Sequence, residues 1–296
     1  MRNTITYRHW QPGDDDAVLE LLLPTEQCSE DYYRKKFESS WCEPEGVQLA
    51  FANDRVVGHV FGTWTLLFLE DKAQDFGYVT LVYVDPDMRR QGIATRLMQE
   101  LNAYYKSRNY RGVLLDTDTE AAYQLYRKIG YQEVTRELET QTSPRQNPSR
   151  LIWTKVTAED FDILHQIKNK WASQNFPVFW NPQHPEVHLS NMKQYRVVRR
   201  EYNIVGYAKW DEPSKHLPHG LIRDPVVPDE DPVEVITSLQ VAFPAPRPWQ
   251  TAVGSRYENP LRSLGYTLKP TGWVEMILSF DLQIDWSRLA RTRPFW

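Results

Sequence analysis

The residues of this chain with the clearest chemical potential lie between positions 82 and 97, VYVDPDMRRQGIATRL. A β-branched and aromatic run stops at Asp85-Pro86, where proline withdraws a ladder donor, and Ile93, Leu97 and Leu101 then recur at helical spacing. A basic, glycine-bearing turn therefore feeds a helix. The first N–H groups of a helix lack carbonyl partners and carry the positive end of its dipole, so such a turn suits an anion. Gly92 lets the main chain approach without a Cβ, Ala94 keeps the next turn narrow, and Arg89 and Arg90 bring positive charge to phosphate oxygens. A diphosphate meets these requirements. The plainer alternative is a solvated basic turn before an ordinary amphipathic helix.

A second constellation, Ala122, Leu125, Tyr126, Gly130 and Tyr131, begins 30 positions after Gly92, which leaves room for the helix, a turn and one strand. A phenol such as that of Tyr126 can protonate a departing anion. In this order the two elements resemble the GNAT family of N-acetyltransferases. Arg89-Arg90-Gln91-Gly92-Ile93-Ala94 matches that family's acetyl-CoA signature of Arg or Gln, two residues, Gly, one residue, then Gly or Ala. Val84 and Pro86 match its upstream spacing, and A-x-x-L-Y-x-x-x-G-Y is its second element. The resemblance covers residues 1 to 140.

The resemblance implies an α/β fold with a V-shaped split between the strand at 78–84 and the strand at 113–116. Pantetheine would lie in that split and pair with main-chain groups of Val82, Tyr83 and Val84. Arg89, Arg90, Gln91, Gly92, Ile93, Ala94 and Thr95 would hold the diphosphate, and acetyl-CoA would be the co-substrate. A primary amine on a small molecule or a peptide would attack the acetyl carbonyl directly, with Tyr126 near the sulfur as general acid. Many family members carry asparagine where this chain has Thr119; its hydroxyl can still donate a hydrogen bond to the cofactor but reaches less far. The amine must also lose a proton before it attacks, and Glu70, Asp75 and His59 are the candidate bases.

The elements that must position these groups follow from the same periodicities. In the first half a strand at 5–9, a helix after Asp14, a second helix at 31–39 and a hairpin of 47–52 with 56–67 turning at Asn53-Asp54 precede the strand at 78–84. The helix from Ile93 then makes a strand-helix-strand crossover to 113–116, and a helix ending at Gly130 leads to a strand from Val134. The second half repeats this order more weakly, with a strand at 151–156, a helix from Phe161, and strands at 195–198 and 204–210 around a turn at Asn203. Gly265-Tyr266 repeats Gly130-Tyr131 at an offset of 135, which suggests an internal duplication, the alternative being two unrelated α/β domains.

The polar segment 139–150, with Pro144 and Pro148, reads as the linker. The expected fold is thus two GNAT-like domains, 1–140 and 151–296, each a mixed, centrally splayed sheet flanked by helices. The second has Asp229, Glu230 and Asp231 where the phosphate turn would need arginines and glycine, and Leu261 where the first has Tyr126. It reads as a degenerate copy.

Composition sets the outer bounds. The chain has 296 residues, 41% hydrophobic and 25% charged, with a net charge of −4, and it lacks the basic excess of a nucleic-acid binder. Residues 1 to 140 carry 16 basic and 23 acidic side chains, residues 141 to 296 carry 19 and 16, so the cofactor half is the acidic one. Cys28 and Cys42 fit reduced thiols in a cytoplasm, the N-terminal segment lacks the apolar stretch of a signal peptide, and no apolar run spans a bilayer. His184 and His188 stand four apart without an evident third ligand, so no metal is expected. The expected function is N-acetyl transfer by the first domain, with a non-catalytic acyl-CoA sensor as the alternative. Oligomeric state is not legible in the sequence.

Overall fold

In the computed structural model, which describes residues 4–25, 28–38, 42–69, 72–140, 151–174, 178–180, 194–211, 220–223, 225–242 and 248–280, the chain divides into two compact units. The first comprises Met1–Leu66, Gln74–Glu133 and Glu275–Ile284, the second Leu67–Ala73, Val134–Val274 and Asp285–Trp296.

The elements of the first unit are β1 (Ile5–His9), α1 (Asp15–Leu22), α2 (Glu30–Glu38), β2 (Cys42–Ala52), β3 (Arg55–Leu69), β4 (Lys72–Val84), α3 (Ile93–Ser107), β5 (Gly112–Thr117) and α4 (Glu120–Lys128). β2 and β3 form the expected hairpin, closed by the pair Ala52 and Arg55, with Asn53 in the left-handed region (φ 55°) that asparagine tolerates. β4 and β5 run parallel, so a crossover must join them, and α3 is that crossover.

α3 lies against the sheet at glycine distance. A Cβ on Gly58 would stand 2.8 Å from Ile93 Cγ2, and Cβ atoms on Gly62 and Gly77 would each stand 2.5 Å from atoms of Tyr105. No larger residue fits beneath the helix at these three positions. The helix turns Ile93, Leu97, Met98, Leu101 and Tyr105 onto that platform, and Tyr105 Oη donates to Thr63 O at 2.6 Å. Because side chains alternate along a strand, His59 and Phe61 point to the opposite face, where they meet Tyr33 and Phe37 of α2. Val18, Leu19 and Leu22 of α1 join the same core.

The second unit holds β6 (Gln132–Thr140), β7 (Ile152–Lys155), α5 (Phe161–Gln174), β8 (Val178–Trp180), β9 (Tyr195–Arg200), β10 (Asn203–Asp211), β11 (Leu221–Arg223), α6 (Pro232–Val241), β12 (Trp249–Ala252), α7 (Glu258–Ser263) and β13 (Leu268–Ser279). β7, β9, β10 and β11 pair antiparallel in sequence, β11 pairs β12 in parallel, and β12 pairs β6 antiparallel. Its core gathers Trp171, Val197, Val198, Tyr207, Ile236, Trp249, Tyr257 and Leu261.

One detail departs from the sequence reading. Arg200 and Asn203 are paired, so the turn between β9 and β10 rests on Glu201 (φ 55°) and Tyr202 rather than on Asn203. Of the linker expected at 139–150, residues 141–150 lie outside the described residues. The last strand carries Glu275–Ile284 into the first unit, where Phe280 N donates to Arg111 O at 3.1 Å and β13 neighbours β5. That exchange involves residues far apart in sequence and leaves no local signal.

Candidate active site

The site begins where two parallel strands part. Gly77, Tyr78 and Val79 pair with Val113, Leu114 and Leu115, after which β4 runs on to Val84 and β5 to Thr117 without further ladder pairs between the two strands. Just past the parting point Leu81 adopts φ 51°, a left-handed conformation that costs a non-glycine residue about 1 kcal/mol and re-aims the strand. His59 pins it. The ring is fully buried, and burial lowers its pKa to about 4, so it is neutral and donates from Nδ1 to Leu81 O at 2.9 Å. Its Nε2 is buried without a hydrogen-bond partner, and the Tyr33 ring lies 5.8 Å away. His59 therefore holds the backbone of β4.

At the end of β4 the chain makes a turn braced from both sides. Asp85 accepts from Asp87 N at 2.9 Å and pairs with Arg55 at 2.7 Å, while Arg89 Nε donates to Val84 O at 3.0 Å. Arg90 and Gly92 both take positive φ, 61° and 82°. The first bond into α3 runs from Arg96 N to Gly92 O at 3.0 Å, which leaves the N–H groups of Gly92, Ile93, Ala94 and Thr95 ahead of it without an intrahelical acceptor. No side chain caps this helix and no acidic residue lies in its first turn. A Cβ built on Gly92 meets nothing within 4 Å, so the space over the turn is open. The uncapped N–H groups from Gly92 to Thr95 thus face open space, with Arg89 and Arg90 in the turn before them and Val82, Tyr83 and Val84 leading into it, and such a helix start fits a diphosphate. Thr119 stands apart at the exposed start of α4, its N–H on Thr117 Oγ1 at 3.3 Å.

Tyr126 lies on the face of α4 that is buried. Its ring is 5.9 Å from that of Tyr131, whose hydroxyl donates to Asn102 of α3 at 2.8 Å and so ties the end of α4 to the crossover helix. Burial, and secondarily the charge of Asp116, raise the Tyr126 pKa, so the phenol keeps its proton. Asp116 itself sits on β5 immediately after the last ladder residue, and Tyr78 Oη donates to its Oδ1 at 2.9 Å. From α2, Lys36 donates to Thr80 Oγ1 at 3.2 Å and lies 5.3 Å from the centroid of the Tyr32 ring. Burial lowers the Lys36 pKa to about 8.

Sequence reasoning passes over Asp116, Tyr78 and Lys36. A carboxylate ending the apolar strand 112–115 is a readable signal for Asp116; Lys36, in a polar helix, offers none. Of the candidate bases, Glu70 lies outside the described residues. Asp75 lies before the paired stretch of β4, at the opposite end from the parting point, in a pocket of about 410 Å³ with Glu43, Arg108 and Tyr110. His59 is committed to Leu81.

The second unit also places a helix, α6, between parallel strands and starts it differently. Asp231 caps α6 by accepting from Val233 N at 2.8 Å, with Pro232 following. Glu230 pairs with Arg200, Asp229 with Lys170, and Arg256 donates to the carbonyls of Val227, Pro228 and Glu230. The helix ends, in contrast, agree in detail. Gly130 N bonds Arg127 O and Tyr131 N bonds Tyr126 O, while Gly265 N bonds Arg262 O and Tyr266 N bonds Leu261 O, each glycine at positive φ. Among the described residues no group of three His, Cys, Asp or Glu could hold a metal ion; His184 and His188 lie outside them.

Solved structures share this architecture along nearly the whole chain. A GCN5-related N-acetyltransferase from Anabaena variabilis superposes with a TM-score of 0.68 at 14% identity, covering 93% of this chain and 72% of that one. A probable N-acyltransferase from Enterococcus faecalis gives 0.67 at 11% identity over 93% and 72%. At such identities the likeness is one of fold. Residues 16–131 match the Acetyltransferase (GNAT) family. N-alpha-acetyltransferase 30 of Schizosaccharomyces pombe is 30% identical over 136 residues, 44% of this chain and 84% of the relative. An uncharacterized N-acetyltransferase of Methanocaldococcus jannaschii is 27% identical over 140 residues, and the match spans 62% of that relative's length. The chain belongs to the GNAT acetyltransferase family.

Proposed function

We propose that the first unit transfers acetyl from acetyl-CoA to a primary amine. The observation that carries this reading is the uncapped start of α3, open at Gly92 and placed where β4 has parted from β5. The N–H groups at the helix start, with Arg89 and Arg90, hold the diphosphate, and the main chain of Val82 to Val84 pairs with pantetheine. Gln91, Ile93, Ala94 and Thr95 shape the cradle, and Thr119, apart from it at the start of α4, offers its hydroxyl to another part of the cofactor. The bound thioester then points into the wedge, where an amine attacks its carbonyl, the C–N bond forms, and the C–S bond breaks. Tyr126, kept protonated by burial, gives its proton to the leaving thiolate.

The second unit is a degenerate copy that keeps the glycine-tyrosine helix end and has filled its phosphate turn with internal ion pairs. One relative's name specifies an N-alpha-acetyltransferase, so a peptide α-amine belongs among the acceptors to test beside small amines. Free Cys28 and Cys42 suit a reducing cytoplasm, and among the described residues no helix is long and apolar enough to cross a membrane.

Calorimetry with acetyl-CoA, followed by thiol release with an amine panel, tests this reading. Uptake with amine-dependent thiol release supports it. Uptake without turnover leaves an acyl-CoA sensor, and no uptake overturns the cradle itself.

A further inference from the structure

The acceptor side of the wedge holds an arrangement that the donor chemistry does not use. Tyr78 on β4 pairs with Leu114 on β5, and side chains alternate along strands, so Tyr78, Thr80 and Asp116 project to the same face of the sheet. This is the face covered by α2, as the Lys36 to Thr80 bond shows. Asp116 follows directly on the last paired residue, Leu115, so its carboxylate stands where the strands begin to separate. Tyr78 fixes one of its oxygens at 2.9 Å. Its charge acts on Tyr126 of α4 and on Tyr32 of α2, each of whose pKa values it helps to raise after burial. Tyr32, 47% exposed, presents an aromatic surface at the same place. A half-buried carboxylate with aromatic neighbours is a receptor for a cation, and a primary amine arrives as one.

We propose that Asp116, oriented by Tyr78, receives the acceptor as its ammonium and takes the proton that frees the nitrogen lone pair. This rests on the reading of the acceptor as a primary amine. Two protons leave the nitrogen in the reaction. The first passes from the ammonium to the Asp116 carboxylate and on to solvent. The amine then attacks, the C–N bond forms, and the new nitrogen carries a positive charge. The second proton passes to the emptied carboxylate as the C–S bond breaks and Tyr126 protonates sulfur; Asp116 then gives its proton to solvent and the Tyr126 phenolate takes one from solvent. The sum is amide, CoA thiol and one proton released, with both side chains restored. Asp116 is the catalytic residue here, and Tyr78 is a positioning residue.

The test uses the full-length protein saturated with acetyl-CoA and three probes, phenylethylamine, spermidine and a peptide with a free α-amine, with thiol release read from pH 7 to 9. Asp116→Asn is expected to bind acetyl-CoA as the parent does, to lose about a hundredfold in kcat/KM at pH 7, and to recover to within about tenfold by pH 9 as solvent deprotonates the amine. Tyr78→Phe is expected to lose about tenfold with the same direction of recovery. Lys36 loses its charge across this range and Tyr32 and Tyr126 face Asp116, so Lys36→Met serves as the control whose presence must leave the Asp116→Asn recovery intact. An Asp116→Asn variant within threefold of the parent, a deficit that stays constant with pH, or a loss of acetyl-CoA affinity overturns the assignment while amine transfer stands. If the loaded parent acetylates none of the three probes, the amine reading fails and takes this inference with it.

Discussion

The two crossover helices of this molecule start in opposite ways. α3 opens on Gly92 at positive φ, with no capping side chain, no acid in its first turn and two arginines just before it. α6 opens on Pro232 behind the Asp231 cap, and Arg200, Lys170 and Arg256 satisfy its acidic turn from within. The difference shows where the free energy of a helix start goes. One unit satisfies its unpaired N–H groups with its own carboxylate and gains about 1 kcal/mol of stability. The other leaves them open to a ligand. The ends of α4 and α7, by contrast, close with the same glycine-tyrosine backbone bonds, so the two units agree at the helix end and differ at the helix start.

The largest expected effect comes from reversing the charge of the open turn. Arg89→Glu with Arg90→Glu should weaken acetyl-CoA binding at least a thousandfold, about 4 kcal/mol, because two charge-assisted contacts become repulsions. Reversing Asp229 and Glu230 to lysine should leave calorimetric uptake unchanged. Equal responses at the two turns would abolish the contrast.

The next effect separates the units by acid stability. Folded His59 takes its proton only near pH 4, whereas the unfolded imidazole takes it near 6.5. Between those values the unfolded chain binds more protons, so the first unit should lose stability as pH falls from 6.5 towards 4, by roughly 3 kcal/mol. His59→Asn should flatten that limb in urea titrations, because an amide can donate to Leu81 O without gaining charge.

Tyr126→Phe should lower thiol release about a hundredfold with acetyl-CoA affinity unaltered, while Leu261→Tyr in the second unit should confer no turnover. The smallest pair concerns the helix starts themselves. Gly92→Ala should cost about 1 kcal/mol through its left-handed backbone and weaken acetyl-CoA binding, since the added Cβ occupies the open space over the turn. Asp231→Ala should cost about as much in melting temperature and nothing in binding.

Most of the first unit is readable because its signals are local. Asp85-Pro86 ends a strand, Ile93, Leu97 and Leu101 mark a helix face, and Gly130 ends the next helix, each as its chemistry requires. The cradle is readable for the same reason, since one short turn supplies all its groups. The surroundings of Asp116 are not. The Tyr78–Asp116 bond forms across a parallel pairing and the Lys36–Thr80 bond through a helix packed over it, and no sequence spacing encodes either. His59 reads in the sequence as a candidate base because an imidazole on a strand gives no hint of a carbonyl 22 positions away that will occupy its Nδ1.

The lending of Glu275–Ile284 to the first unit bears on how the chain is made. While the ribosome is still adding the middle of the sequence, β5 has no neighbour on its outer side, and a bare strand edge is an invitation to mispairing. The first unit, though most of it is written first, cannot finish folding until nearly everything after it has emerged.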